Sequence, residues 1–147
     1  MAIRIINRQK GIKLDSKRAR QSLLRVMKLM NCSECELNVL FTDDASIQEF
    51  NLKYLGKNKP TNVLSFSLNE GGYSEENSLG DIVISVETAL RDAEKGNLSL
   101  EHEIDFLMIH GVLHLLGYDH IASRTEARKM SLKQKELFKI LNGFSID

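Results

Sequence analysis

His110–His120 reads H-G-V-L-H-L-L-G-Y-D-H, and these eleven residues hold three of the four histidines in a chain of 147. They close an apolar run (Ile104, Phe106, Leu107, Met108, Ile109, Val112, Leu113, Leu115, Leu116) that predicts a buried helix. On a helix, His110 and His114 lie one above the other on the same face. Two imidazoles so placed reach one metal ion, as in the H-E-x-x-H zinc motif. Gly117 stands where that helix is expected to end, because a residue past the last turn with positive φ is cheapest as glycine. The reversal it permits swings His120 back toward the first two. Three neutral imidazoles with an open fourth position describe a catalytic zinc site, not a closed structural one.

The spacing matches the metzincin pattern H-E-x-x-H-x-x-G-x-x-H with one difference: Gly111 replaces the glutamate that serves those proteases as general base. The ligand set is kept and the protease base is absent, so the expected chemistry is a metal-activated water aimed away from peptide bonds. One histidine on an apolar helix is ordinarily a satisfied core residue. Three at this spacing, with a glycine reversal between the second and third, have a geometric reason to be ligands. His102 stands eight residues before His110, about 12 Å along a helix axis, too far for a fourth ligand. One Zn2+ per chain is the expected cofactor.

A chain of this length is the usual size of one domain and can bury a core. No apolar run approaches bilayer length. The first ten residues, M-A-I-R-I-I-N-R-Q-K, lack the apolar core of a signal peptide, so a cytoplasmic location with no membrane partner is expected. The net charge is zero, yet Met1–Met30 carries nine basic residues against Asp15 alone, and Pro60–Asp105 carries ten acids against Arg91 and Lys95. The first helix is thus expected to be a basic surface, suited to a phosphate backbone or an acidic partner, or simply solvated. Cys32 and Cys35 form one isolated C-x-x-C with no second pair, and read as incidental thiols in a turn.

In order, the chain predicts a strand at Ala2–Asn7 and a helix capped by Asp15 or Ser16 and running to about Met30. Glu36–Phe41 alternates as a second strand. Thr42 or Asp43 caps a helix through Ile47, Phe50 and Tyr54 that closes near Gly56. Thr61–Ser67 is a third strand, Leu68–Ser78 a long polar loop, and Gly80–Ser85 a fourth, short strand. Val86–Lys95 is a short helix ended by Gly96, Ser99 caps the histidine helix, and Thr125–Leu141 is the last helix. The fold class is α+β: one domain over residues 1–147, with a mixed sheet of about four strands, helices packed on it and the histidine-bearing helix at the centre.

Three blocks carry a resemblance. H-G-V-L-H-L-L-G-Y-D-H, N-L-K-Y-L-G-K-N-K-P-T-N-V-L-S-F at Asn51–Phe66, and L-G-D-I-V-I at Leu79–Ile84 are similar to signature stretches of the YbeY family. That family comprises bacterial metal-dependent endoribonucleases of ribosomal RNA maturation, and the resemblance spans nearly the whole chain. It implies an α+β fold with zinc on His110, His114 and His120, and cleavage of single-stranded RNA. It also implies a part in forming the 3′ end of 16S rRNA and in ribosome quality control, with the small ribosomal subunit and its assembly factors as partners. The family commonly has an arginine directly after the tyrosine of the second block, where this chain has Leu55. Leucine holds no phosphate; Lys53, Lys57 or Lys59 are candidates to supply point charges instead.

The expected reaction is hydrolysis of an RNA phosphodiester by a zinc-activated water, with His114 and Asp119 as the catalytic candidates. Asp119 orients a histidine or the water, or bonds loop amides as aspartates commonly do. Tyr118 is read as packing. Asn62 and Ser65 on the third strand are further candidates for the cleft. Two rival readings stay open: a metalloprotease-like hydrolase, and a non-catalytic RNA-binding assembly factor whose metal stabilises the fold.

Overall fold

The computed structural model describes residues 3–66 and 78–146. The elements follow in the order β1 (Ile3–Asn7), α1 (Ser16–Leu29), β2 (Glu36–Thr42), α2 (Asp44–Leu55), β3 (Val63–Phe66), β4 (Ser78–Ser85), α3 (Val86–Lys95), α4 (Leu100–Leu115) and α5 (Arg124–Asn142). The expected α+β class and four-stranded mixed sheet are found. The strand order is β1-β2-β4-β3, with β1, β2 and β4 parallel and β3 antiparallel along one edge.

Side-chain alternation gives the sheet two unlike faces. Ile3, Leu37, Val39, Phe41, Ile82 and Ile84 are buried together with Leu23 and Met27 of α1, Met108 and Val112 of α4, and Phe138 of α5. On the opposite face, Leu64 and Val83 meet Ile47 of α2, with Leu40, Phe50 and Phe66 packed around them. α4 packs against α1, α3, α5, β3 and β4. Nine of its sixteen residues are buried, which is why its sequence is apolar on nearly every side.

The caps are local chemistry. Asp15, Asp43 and Ser99 each accept an N–H of the first turn, from Arg18, Ser46 and His102. The third strand begins at Val63, two residues later than expected. Asn62 ends the loop before it by accepting the Val63 N–H on its side chain (2.8 Å), while its carbonyl accepts from Ser85. The fourth strand begins at Ser78, two residues earlier than expected. A register irregularity at Glu36/Leu37 pairs Ser78 with Glu36 and Gly80 with Leu37. Ser78 thus belongs to β4 and not to the loop expected over Leu68–Ser78; the rest of that expected loop, and Ser67 of the expected third strand, lie outside the described residues.

The basic first helix is less free than its composition suggests. Arg18 enters the interior, giving Asp105 two bonds of 3.1 and 2.9 Å, and Asp105 is fully buried. Arg20 donates to the Ile3 carbonyl at 2.7 Å and Arg25 to that of Leu141 at 3.5 Å. Three of the nine N-terminal bases thus fasten α1 to its neighbours. Cys32 and Cys35 are free thiols, and burial first, then Cys35, pushes Cys32 up to about 11. It stays protonated at neutral pH, the unreactive state of a buried thiol.

Candidate metal centre

α4 ends in the manner its glycine requires. The Tyr118 N–H reaches back to the Leu113 carbonyl and the Gly117 N–H to that of His114, both at 3.0 Å, with Gly117 at φ 101°. That paired closure reverses the chain. After it, Asp119 Oδ1 accepts the Ile121 N–H at 2.8 Å and the Ala122 N–H at 3.3 Å, pinning the loop that carries His120. The amide bond from Ile121 is the main reason the Asp119 carboxyl lies below its usual range. Of the two roles considered for Asp119, the amide-bonding one is seen directly.

His110 is half-buried on α4, while His114 and His120 are exposed. The His110 and His120 rings stand with centroids 5.3 Å apart. Two imidazoles on one tetrahedral zinc, each with Zn–N near 2.0 Å, have centroids about 5 Å apart. This pair therefore fits a shared ion, and the all-imidazole donor set is one zinc accepts. Burial first, then His120, lowers the pKa of His110, holding its ring in the neutral form that has a lone pair to give. Yet among the described residues no three His, Cys, Asp or Glu side chains close into a group that could hold a metal. Of the three expected ligands, the structure sets the His110 and His120 rings side by side.

Gln134 was not foreseen. It is buried on α5, donates through Nε2 to the Phe106 carbonyl at 3.2 Å, and lies near enough to His110 to work against the lowering of its pKa. With Nε2 used, the amide oxygen of Gln134 is its remaining hydrogen-bonding group. One glutamine in a polar stretch carries no sequence signal of this. His102 lies elsewhere, edge-on to Phe144 (4.9 Å) and Phe138 (6.2 Å), in a packing role.

Gly111 is buried against the sheet, where an added Cβ would stand 2.7, 2.9 and 3.1 Å from Ile82 Cδ1, Cγ1 and Cγ2. The position that holds the general base in the protease pattern is here a helix–sheet contact with no room for a carboxylate.

The remaining candidates divide. Ser65 pairs in register with Ile82, hence on the α4 face. The Asn62 side chain is occupied, by Val63 and by a 3.4 Å bond to Asp92. Lys57 and Lys59 are exposed in the loop that Asn51, buried on α2, holds by a 2.9 Å bond to the Lys59 carbonyl. Lys53 lines a cleft with Arg8 on the far side of the sheet. Leu55 is 56% exposed and buries nothing that would explain a leucine there.

The sequence model of the family described as Endoribonuclease YbeY matches residues 4–142. The chain belongs to that family. An endoribonuclease YbeY of Syntrophus aciditrophicus is 51% identical, over 100% of this chain and 94% of its own. One from Geobacter metallireducens is 41% identical over 96% of both. The solution structure of TM1509 from Thermotoga maritima superposes with a TM-score of 0.67 at 30% identity, covering 96% of this chain and 89% of that one. Family membership thus joins the three-histidine block to a chain whose relatives are named as RNA-cleaving enzymes. No helix among the described residues is long and apolar enough to cross a membrane.

Proposed function

We propose that this chain is a metal-dependent endoribonuclease that hydrolyses single-stranded RNA, with His110, His114 and His120 as ligands of one zinc ion. The observation that carries the reading is the 5.3 Å approach of His110 and His120 across the glycine reversal, in a chain of the endoribonuclease family. His114 completes the set by a side-chain rotation, which an exposed residue makes readily. The ion supplies Lewis acidity, lowering the pKa of water toward neutrality and polarising a phosphoryl oxygen.

The chain's own residues do the rest. Gln134 fixes the ring of His110, and Asp119, through the amides of Ile121 and Ala122, holds the loop that presents His120. Both are positioning residues. Lys57 and Lys59, in the loop leading to the edge strand β3, bring positive charge for the scissile phosphate where the family's arginine is absent. Ser65 faces the α4 side and is placed to line the RNA path. The buried Gly111 disfavours the metalloprotease rival, since the pattern's base has no place here. Cytoplasmic rRNA, with the 16S 3′ end, the small subunit and its assembly factors, is the setting this activity suits.

Metal analysis and RNA cleavage test the proposal together. Untagged protein is expected to hold close to one zinc per chain and to cut single-stranded RNA but not casein. Chelation abolishes cutting and zinc restores it. Stoichiometric metal without RNA cleavage, or cleavage indifferent to chelation, would overturn it.

A further inference from the structure

The sheet face turned away from α4 is only partly covered. Arg4, Asn38 and Asp81 stand side by side across β1, β2 and β4, with Phe66 of β3 opposite Asp81. They alternate with Ile82, whose side chain lies under Gly111, so this row points away from the histidine helix. α2 covers the neighbouring row at Leu64 and Val83 and leaves a cleft of about 390 Å³ beside it.

The lining has three parts. Along one wall, Arg4 of β1 and Arg8, just past its end, are exposed, and neither makes an ion pair among the described residues. On the other, Tyr54 is 52% exposed, with its ring centroid 4.6 Å from that of Phe66. On the floor, Asn38 Nδ2 donates to Asp81 Oδ1 at 2.9 Å, which leaves Asp81 Oδ2 and Asn38 Oδ1 as acceptors facing outward. Lys53 Nζ lies 5.3 Å from the Tyr54 ring centroid, and an adjoining cleft shares Arg8 and is lined also by Glu49 and Lys53, which carries positive charge past the aromatic wall.

We propose that this groove is a second RNA-binding site, on the opposite face of the sheet from the histidine centre. Arg4 and Arg8 take successive phosphates, a base lies against Tyr54 and Phe66, and Asp81 accepts hydrogen bonds from the base edge. The inference rests on the RNA reading above and adds a subsite with its own base preference. Stacking on exposed aromatics beside a cationic groove is how single strands are held without pairing. An acidic peptide would satisfy the arginines but lay its carboxylates over Asp81. An acceptor floor favours bases with an exocyclic amino group, adenine, cytosine or guanine; in uracil the one N–H stands between two carbonyls, which the carboxylate repels.

The test is fluorescence anisotropy with labelled ten-nucleotide oligo(C) and oligo(U) on metal-stripped protein, beside Arg4→Ala/Arg8→Ala and Asp81→Asn variants whose folds are checked by circular dichroism and melting. The parent should bind oligo(C) several-fold more tightly than oligo(U). The double arginine variant should lose on the order of tenfold, and its salt slope should fall by about 1.4, two phosphates at about 0.7 each. Asp81→Asn should remove the preference for oligo(C) while retaining binding to oligo(U). Equal affinity of the folded arginine variant and the parent, or no base preference in the parent, overturns the groove. If cleavage by the parent still requires metal in that event, the proposed function stands without this site.

Discussion

Gly111→Ala tests how tightly the metal helix is set on the sheet. The added methyl would meet three atoms of Ile82 at 2.7–3.1 Å. Ile82 is fully buried in strand β4, so it has little room to retreat. Overpacking a filled core costs roughly 1–3 kcal/mol, and three close atoms argue for the upper end. Replacing glycine by alanine within a helix returns about 1 kcal/mol. The net expectation is a loss of about 2 kcal/mol, or a fall in Tm of roughly 4–8 °C for a chain of this size. Ile82→Val removes Cδ1, the nearest of the three atoms, so a double-mutant cycle by thermal or urea unfolding should show the alanine tolerated better in the valine background, with a coupling of about 1 kcal/mol. A Gly111→Ala protein at least as stable as the parent, or additive effects in the cycle, would refute the claim that this glycine exists for contact with β4.

Other consequences follow from buried charge and from the site. Arg18→Ala strips the partner from fully buried Asp105; the expected loss is about 3 kcal/mol by urea unfolding, and a loss below 1 would show the pair to be incidental. Glu103 is 7% exposed, and burial first, then Asp92, pushes its carboxyl up from 4.5 to about 7. The folded state therefore holds its proton where the unfolded chain releases it. The contribution is complete below pH 4.5 and is lost as pH rises through 7, amounting to at most about 3 kcal/mol. Glu103→Gln should flatten stability across that window and stabilise the protein at pH 8; an unchanged profile counts against the shift. Lys57→Ala and Lys59→Ala should each lower kcat/KM for RNA several-fold without changing Tm, whereas no loss in either would leave the missing arginine uncompensated.

How much was readable in advance depended on the range of each interaction. Helix starts at Asp15, Asp43 and Ser99 were legible because a cap is a bond spanning three residues. The glycine reversal at Gly117 was legible for the same reason. The start of β4 was not, because the register irregularity depends on Glu36, more than forty residues away in sequence. The Arg18–Asp105 clamp joins residues 87 apart, so the charge count marked Arg18 as surface while the fold takes it inside. At the site, the His110–His114 spacing showed two imidazoles on one helix face, but only packing shows Gln134 beside His110 and Gly111 pressed on Ile82. The open sheet face leaves no local mark in the sequence, because Arg4, Asn38 and Asp81 become neighbours only through strand register.

The most direct measurement is cleavage of a single-stranded RNA carrying a small-subunit rRNA 3′ end, by parent and by His114→Ala protein, with bound metal quantified in both. His114 is exposed, so the variant should fold. The account predicts metal-dependent cutting by the parent and loss of both metal and cutting in the variant. A folded His114→Ala protein that cleaves like the parent would contradict the three-histidine centre.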